Sequence, residues 1–132
     1  MFKKFIAPLL ISFLSFTASA QENNNLTSAI KVESIKNGLV TISGICSNNT
    51  LQPLELKYEL SVQKKGISGN TSKNNQSGHF KLDSKDYKTV STTTINFDPE
   101  DYAEIVLTIY DAHNTQLAQH KKSLAESDFT KK

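Results

Sequence analysis

From Ala29 onward the apolar residues of this chain recur at every second position, and no stripe at helical spacing competes with them. Ile30 and Val32, interleaved with Lys31 and Glu33, predict a first strand. Asn37-Gly38, a strong hairpin signal, ends it. Leu39 to Cys46 follows, with Val40, Ile42 and Cys46 on one face and Thr41, Ser43 and Ile45 on the other. Ser47 to Pro53 is a turn. The clearest alternation sets Leu54, Leu56, Tyr58, Leu60 and Val62 against Glu55, Lys57, Glu59, Ser61 and Gln63. One buried and one wet face is the pattern of an antiparallel strand. Lys64 to Ser77 has little apolar content and two glycines, and reads as a long mobile connection or a weak edge strand. Gly78 to Leu82 predicts a short strand carrying Phe80 and Leu82, and Lys88 to Phe97 a Thr/Ser/Val-rich one. Asp98-Pro99-Glu100-Asp101 turns the chain, after which Ala103, Ile105, Leu107 and Ile109 alternate inward. Asp111 to Thr115 turns again, and Gln116 to Leu124 is a last, weaker strand.

About seven short strands, with a turn signal roughly every 8–12 residues, predict an all-β fold: an immunoglobulin-like antiparallel β-sandwich. The Cys…Trp…Cys core of antibody domains is missing, since the chain has one Cys and no Trp. A lone cysteine cannot make an internal disulfide, so packing has to hold the sandwich together. Tyr102, just after a turn and opening the sixth strand, occupies the place of a tyrosine corner.

The first twenty residues belong to a different pattern. Lys3 and Lys4 precede the apolar run Phe5 to Phe16, and Ala18-Ser19-Ala20 forms a small-x-small exit. This reads as a secretory signal peptide, residues 1–20, cleaved before Gln21. The run is too short to span a bilayer, so no membrane insertion is expected after cleavage. The organisation predicted is then a flexible polar lead-in over 21–28, a sandwich domain over 29–124 and a polar tail over 125–132.

Charge changes once the leader is set aside. The full chain has 15 Lys+Arg, all of them lysine, and 13 Asp+Glu. The leader removes two lysines and no acid, which leaves 13 of each sign in the remaining 112 residues. A neutral chain without arginine is a poor nucleic-acid partner, so none is expected.

The constellations that carry catalysis are missing from the sequence. Cys46 shares a strand face with Val40 and Ile42, the setting of a packed, inert thiol and a structural role. His79, His113 and His120 sit in separate elements without metal-ligand spacing. Asp98, Glu100, Asp101 and Glu104 read as a solvated turn, lacking the glycine and terminal glutamate of a calcium loop. Gly66 and Gly69 lead into polar residues and not into a helix, so they form no phosphate cradle. No enzyme activity, cofactor or metal is expected. Sequons at Asn25, Asn48, Asn70 and Asn75 matter only in a glycosylating host.

One stretch has a more distinctive character. Tyr58-x-Leu60-x-Val62-x-Lys64-Lys65-Gly66-x-Ser68-Gly69-Asn70-Thr71-Ser72, followed by Gln76-Ser77-Gly78-x-Phe80-x-Leu82, resembles the CsgH family of curli assembly chaperones. Val90-Ser91, Ile95-Asn96, Tyr102, Leu107 and Tyr110-Asp111 continue the likeness, which runs from about Ile30 to Leu124. The resemblance implies a small periplasmic immunoglobulin-like sandwich, expected as a monomer, that keeps an amyloidogenic curli-type fibre subunit from aggregating before export. Cys46 stands alone where the better-known enterobacterial relative has a Cys-x-Cys pair, so no redox role follows. With no arginine present, electrostatic contact with a client falls to lysine. Lys64, Lys65 and Lys73 flank the Gly66–Gly78 segment and Lys57 lies on the wet face of the third strand, which makes these four the candidate client contacts. The competing class of function is a structural or adhesive immunoglobulin-like accessory module of a surface fibre.

Overall fold

The computed structural model describes residues 25–125, so the predicted leader, residues 21–24 of the lead-in and residues 126–132 of the tail lie outside the described residues. Seven strands occupy the described residues: β1 (Leu26–Ile35), β2 (Leu39–Asn48), β3 (Leu54–Lys65), β4 (Thr71–Leu82), β5 (Tyr87–Asn96), β6 (Tyr102–Asp111) and β7 (Gln116–Leu124). They form two antiparallel sheets, a three-stranded one in the order β1-β2-β5 and a four-stranded one in the order β4-β3-β6-β7. In the constant-type immunoglobulin arrangement the fourth strand lies on the first sheet. Here β4 stays with its hairpin partner β3, and the seven-strand sandwich is otherwise as the alternation predicts.

The inward faces are those read from the sequence. Val40, Ile42 and Cys46 of β2 and Leu56, Leu60 and Val62 of β3 are buried. Ala103, Ile105, Leu107 and Ile109 of β6, beside β3 in the same sheet, are buried facing β2. Leu107 lies directly over Gly44 of β2, where an added Cβ would sit 3.0 Å from its Cδ1. Glycine at that point lets the two sheets approach at the centre of the core. Between β1 and β2, Asn37 and Gly38 both adopt positive φ (70° and 75°), which is the turn chemistry their sequence announces.

Two boundaries differ from expectation. β1 starts at Leu26, inside the predicted lead-in, because Leu26 and Ser28 are buried against the core and are drawn into the ladder with Asn48 and Cys46. Lys64–Ser77, read as a long connection or a weak edge strand, is mostly strand and lies at a sheet edge. β3 runs to Lys65 and β4 begins at Thr71, paired residue for residue from Lys65↔Thr71 to Leu54↔Leu82. Only 66–70 turns, closed by Gly66 N–H to Asn70 O at 2.8 Å and Gly69 N–H to Gly66 O at 3.0 Å. Hydrophobic patterning left the choice open because the inward positions 74 and 76 are Asn and Gln. Their partners across the sandwich are themselves polar: Asn74 Nδ2 reaches Thr93 Oγ1 at 3.4 Å, and Gln76 Oε1 is bonded to Ser91 Oγ.

The opposite end of the sandwich is tied by Asn48, which is fully buried. Its amide donates to the carbonyl oxygens of Gln52, Leu82 and Asp83 at 2.8, 3.2 and 3.1 Å. Its Oδ1 accepts from the Thr50 N–H at 2.9 Å and the Thr50 hydroxyl at 2.7 Å. The backbone N–H of Asn48 donates to Asp86 O. One side chain thus joins the end of β2, the 49–53 loop and the β4–β5 turn, and its burial removes it as a glycan acceptor. Asn48→Ala would strand several buried polar groups, each costing about 1–3 kcal/mol. A loss of roughly 3 kcal/mol in urea unfolding is expected. A loss below about 1 kcal/mol would show that water replaces the side chain at no cost.

Candidate interaction surface

Strand parity divides the lysines before any contact is considered. Positions 56, 58, 60 and 62 of β3 face the core, so Lys64 continues the inward face while Lys57 and Lys65 point outward. Lys64 is accordingly only 23% exposed. It lies 3.6 Å from the Asp101 carboxylate, itself 9% exposed, and donates to Asn96 O at 2.7 Å. Asp101 Oδ2 in turn accepts from the Asp98 N–H at 2.8 Å. Lys64 therefore closes the end of the sandwich between β3, β5 and the 97–101 turn, and Asp101 is more than the solvated residue expected of that turn. The alternation itself carried this signal, since Leu60, Val62 and Lys64 share one parity.

The other three candidates share the outer face of the four-stranded sheet. Register places Lys73 opposite Gln63, with Glu104 beyond it on β6, and Lys65 opposite Thr71 and Tyr102. Lys65 and Lys73 are thus diagonal neighbours near one end, both exposed. Lys57 sits toward the other end, between His79 and Tyr110, and donates to Asn114 Oδ1 at 2.6 Å. Lys81 and Lys121 complete the face, against Glu55, Glu59 and Glu104. The outer face of the three-stranded sheet is different. Apart from the Lys31–Glu33 ion pair at 3.5 Å and the apolar Ile35, Leu39 and Ile45, it presents mainly hydroxyls, including Thr41–Thr94 and Ser43–Thr92 hydrogen bonds at 3.1 and 3.2 Å. Cationic side chains are thus concentrated on one flat face of the sandwich.

Tyr102 does not form a tyrosine corner. Its ring is 42% exposed, and its hydroxyl bonds to Glu104 Oε2 and Ser123 Oγ at 3.2 Å each. It is a cross-strand link between β6 and β7 on the outer face, because strand parity turns residue 102 away from the core that Ala103 faces. Cys46 is sealed in the interior, and burial pushes its thiol up to about 12. Tyr110 titrates above its ordinary value through burial and the neighbouring Glu59 carboxylate, to which its hydroxyl donates at 3.3 Å. Among the described residues no group of three or more His, Cys, Asp or Glu is placed to hold a metal ion.

At the β6–β7 turn, Asp111 Oδ1 accepts from the N–H groups of His113 and Thr115 at 2.8 and 2.9 Å. The Thr115 bond leads in holding the carboxyl below its ordinary value of 3.8, with His113 and Lys57 adding to it. This turn positions Asn114, and through it Lys57.

No family model matches the sequence, and no curated protein sequence matches it. Solved structures do. The E. coli curli protein CsgC superposes with a TM-score of 0.58 at 17% identity, over 73% of this chain and 96% of its own. CsgH from R. palustris gives 0.56 at 18% identity, over 80% of this chain and 96% of its own. A Bacteroides uniformis β-glucuronidase gives 0.53 at 14% identity, but the likeness covers only 14% of that enzyme. The class of protein these likenesses define is a single immunoglobulin-like β-sandwich. The particular fold shared over almost their whole length is that of CsgC and CsgH.

Two measurements check Cys46 and Asp111. Cys46 should stay unreactive to Ellman's reagent in the native protein and react on unfolding, and Cys46→Ala should cost about 1 kcal/mol. Rapid native labelling would contradict the sealed position. Asp111→Ala should lower thermal stability. Because the folded pKa of Asp111 is depressed, its contribution is complete above the unfolded value of about 3.9 and lost as pH falls through the lower folded one. The gap between wild type and variant should therefore narrow as pH falls below the unfolded value. A gap constant from pH 6 down to pH 2 would contradict that assignment.

Proposed function

We propose that this protein is an exported, non-enzymatic chaperone that delays amyloid formation by a curli-type fibre subunit in the periplasm. The observation that carries this reading is the likeness in fold to two curli-system proteins, over 73% and 80% of this chain and 96% of each of theirs, which a borrowed module would not give. The predicted leader supplies the export route, and the motif from Tyr58 to Leu82 points to the same proteins.

The physical task is specific. An amyloid-forming subunit is hazardous because its strands expose unpaired backbone groups that stack into cross-β. Nuclei are rare, so a binder present at a small fraction of the subunit concentration can hold back growth without ATP or metal. On this reading the lysine-bearing outer face steers the encounter, with Lys65 and Lys73 as the exposed contacts and Lys57 as a third, tethered one. Lys64 is assigned to fold closure. Steering of this kind acts chiefly on the association rate and weakens as salt shortens the screening length.

Thioflavin fluorescence with a purified curli major subunit tests the proposal. At about one chaperone per hundred subunits the mature protein should at least double the lag, because it acts on rare nuclei. Lys65→Gln with Lys73→Gln should shorten that extension while leaving thermal unfolding nearly unchanged, as exposed charges contribute about 0–1 kcal/mol. A wild-type protein that leaves the lag unchanged and co-purifies with fibres overturns the chaperone reading in favour of a structural accessory.

A further inference from the structure

Four strands end a sheet in this sandwich, and three of them carry charged guards. β1 has Lys31 and Glu33, β4 has Lys73 and Lys81, and β7 has Lys121 and Lys122. Such charges are what keeps a sheet edge from pairing with another chain. β5 is different. From Thr89 to Asn96 it reads TVSTTTIN, eight residues without charge, proline or glycine and with high β-propensity. Its devices against pairing sit at the ends of this stretch: Lys88 and the extra residue Val90, opposite the register shift between Gly44 and Ile45, at one end, and Lys64 Nζ on Asn96 O at the other.

The direction of its backbone groups follows from the ladder. Phe97 N–H donates to Gly38 O, so Gly38 and Phe97 are a hydrogen-bonded pair of the β2–β5 register. In an antiparallel ladder such pairs alternate with non-bonded ones. Ile95, Thr93 and Ser91 therefore turn their backbone N–H and C=O toward β2, while Asn96, Thr94 and Thr92 turn theirs away. Two contacts agree with this. Asn96 O, facing away from β2, accepts from Lys64 Nζ, and the hydroxyls of the Thr41/Thr94 and Ser43/Thr92 pairs touch, as close non-bonded pairs allow. Beyond the bulge, Asn48 N–H to Asp86 O sets the same alternation for Thr89 and Tyr87. Asn74 and Gln76 of β4 reach β5 only through the inward side chains of Thr93 and Ser91, and Thr92 and Thr94 remain exposed. Among the described residues no strand pairs with this side of β5.

We propose that the open edge of β5, centred on Thr92 and Thr94, is where the protein captures an extended, uncharged strand of its client by backbone pairing. The inference rests on the chaperone reading and names the contact that follows lysine-steered encounter. An uncharged edge imposes no charge pattern on its partner, so it fits polar or β-branched strands of many registers. A second copy of this chain fits less well, because two bulged edges aligned about a two-fold axis offset each other at both Val90 positions.

Proline at position 94 isolates the edge. Its missing N–H would be the outward one, and proline is tolerated on edge strands whose N–H faces solvent. Thr94→Pro, Thr94→Val and wild type are compared in the thioflavin assay with the curli major subunit, alongside thermal unfolding. Thr94→Val, which keeps the donor and loses only the hydroxyl, should match wild type. Thr94→Pro should lose at least half of the lag extension. In ¹⁵N-labelled wild type the client should slow hydrogen exchange at the Thr92 and Thr94 amides. If Thr94→Pro fails to fold, Thr92→Lys with Thr94→Lys, which keeps the β2 ladder and adds edge charges, should lose the activity instead. A folded edge variant as active as wild type, with no new protection at Thr92 and Thr94, overturns the edge site and leaves the chaperone reading standing. A wild type without effect on the lag overturns both. A concentration-dependent dimer abolished by Thr94→Pro would assign the edge to a second copy and overturn client capture.

Discussion

Twelve successive pairings between β3 and β4, from Lys65↔Thr71 to Leu54↔Leu82, determine how the rest of the sandwich is laid out. A hairpin with so short a turn keeps its two strands in one sheet, so β4 extends the β3-β6-β7 sheet and leaves β1, β2 and β5 as three. The consequence falls on β5. In an arrangement with the fourth strand on the first sheet its outer edge would be covered. Here that edge meets solvent, and polar side chains bridge the two sheets beside it, Asn74 with Thr93 and Gln76 with Ser91.

Without a disulfide, the two ends of the sandwich depend on buried polar ties. At one end the fully buried Asn48 satisfies three carbonyls and two Thr50 donors. At the other, Lys64 and Asp101 form a half-buried ion pair that also engages Asn96 O and the Asp98 N–H. A buried polar group is costly when unpaired and specifying when fully paired. These ties hold the loops in one arrangement, while the apolar layer between, with Leu107 seated over Gly44, supplies most of the stabilisation.

The distribution of lysine is as informative as its number. A chain that is neutral outside its predicted leader still presents five lysines and three glutamates on the outside of one sheet and a hydroxyl-rich surface on the other. The charged face and the uncharged β5 edge are separate surfaces. A division of labour between encounter and capture is therefore geometrically available to a molecule of one small domain.

Alternation by itself determined the fold class, the inward faces of β2, β3 and β6, and the Asn37-Gly38 turn, because side chains in a strand must point alternately to core and water. It also carried, in the shared parity of Leu60, Val62 and Lys64, the sign that one of four candidate lysines is not a surface charge. Other features were decided only by the assembled structure. β4 is a full strand although its inward positions are polar, because its backbone is satisfied by β3 and its Asn and Gln by hydroxyls 15 to 19 residues away in sequence. Leu26 joins β1 because the core had room for it, Tyr102 faces water because Ala103 faces the core, and Asn48 is buried because three segments converge on it. Each of these depends on which strands become neighbours, and local periodicity holds no information on that.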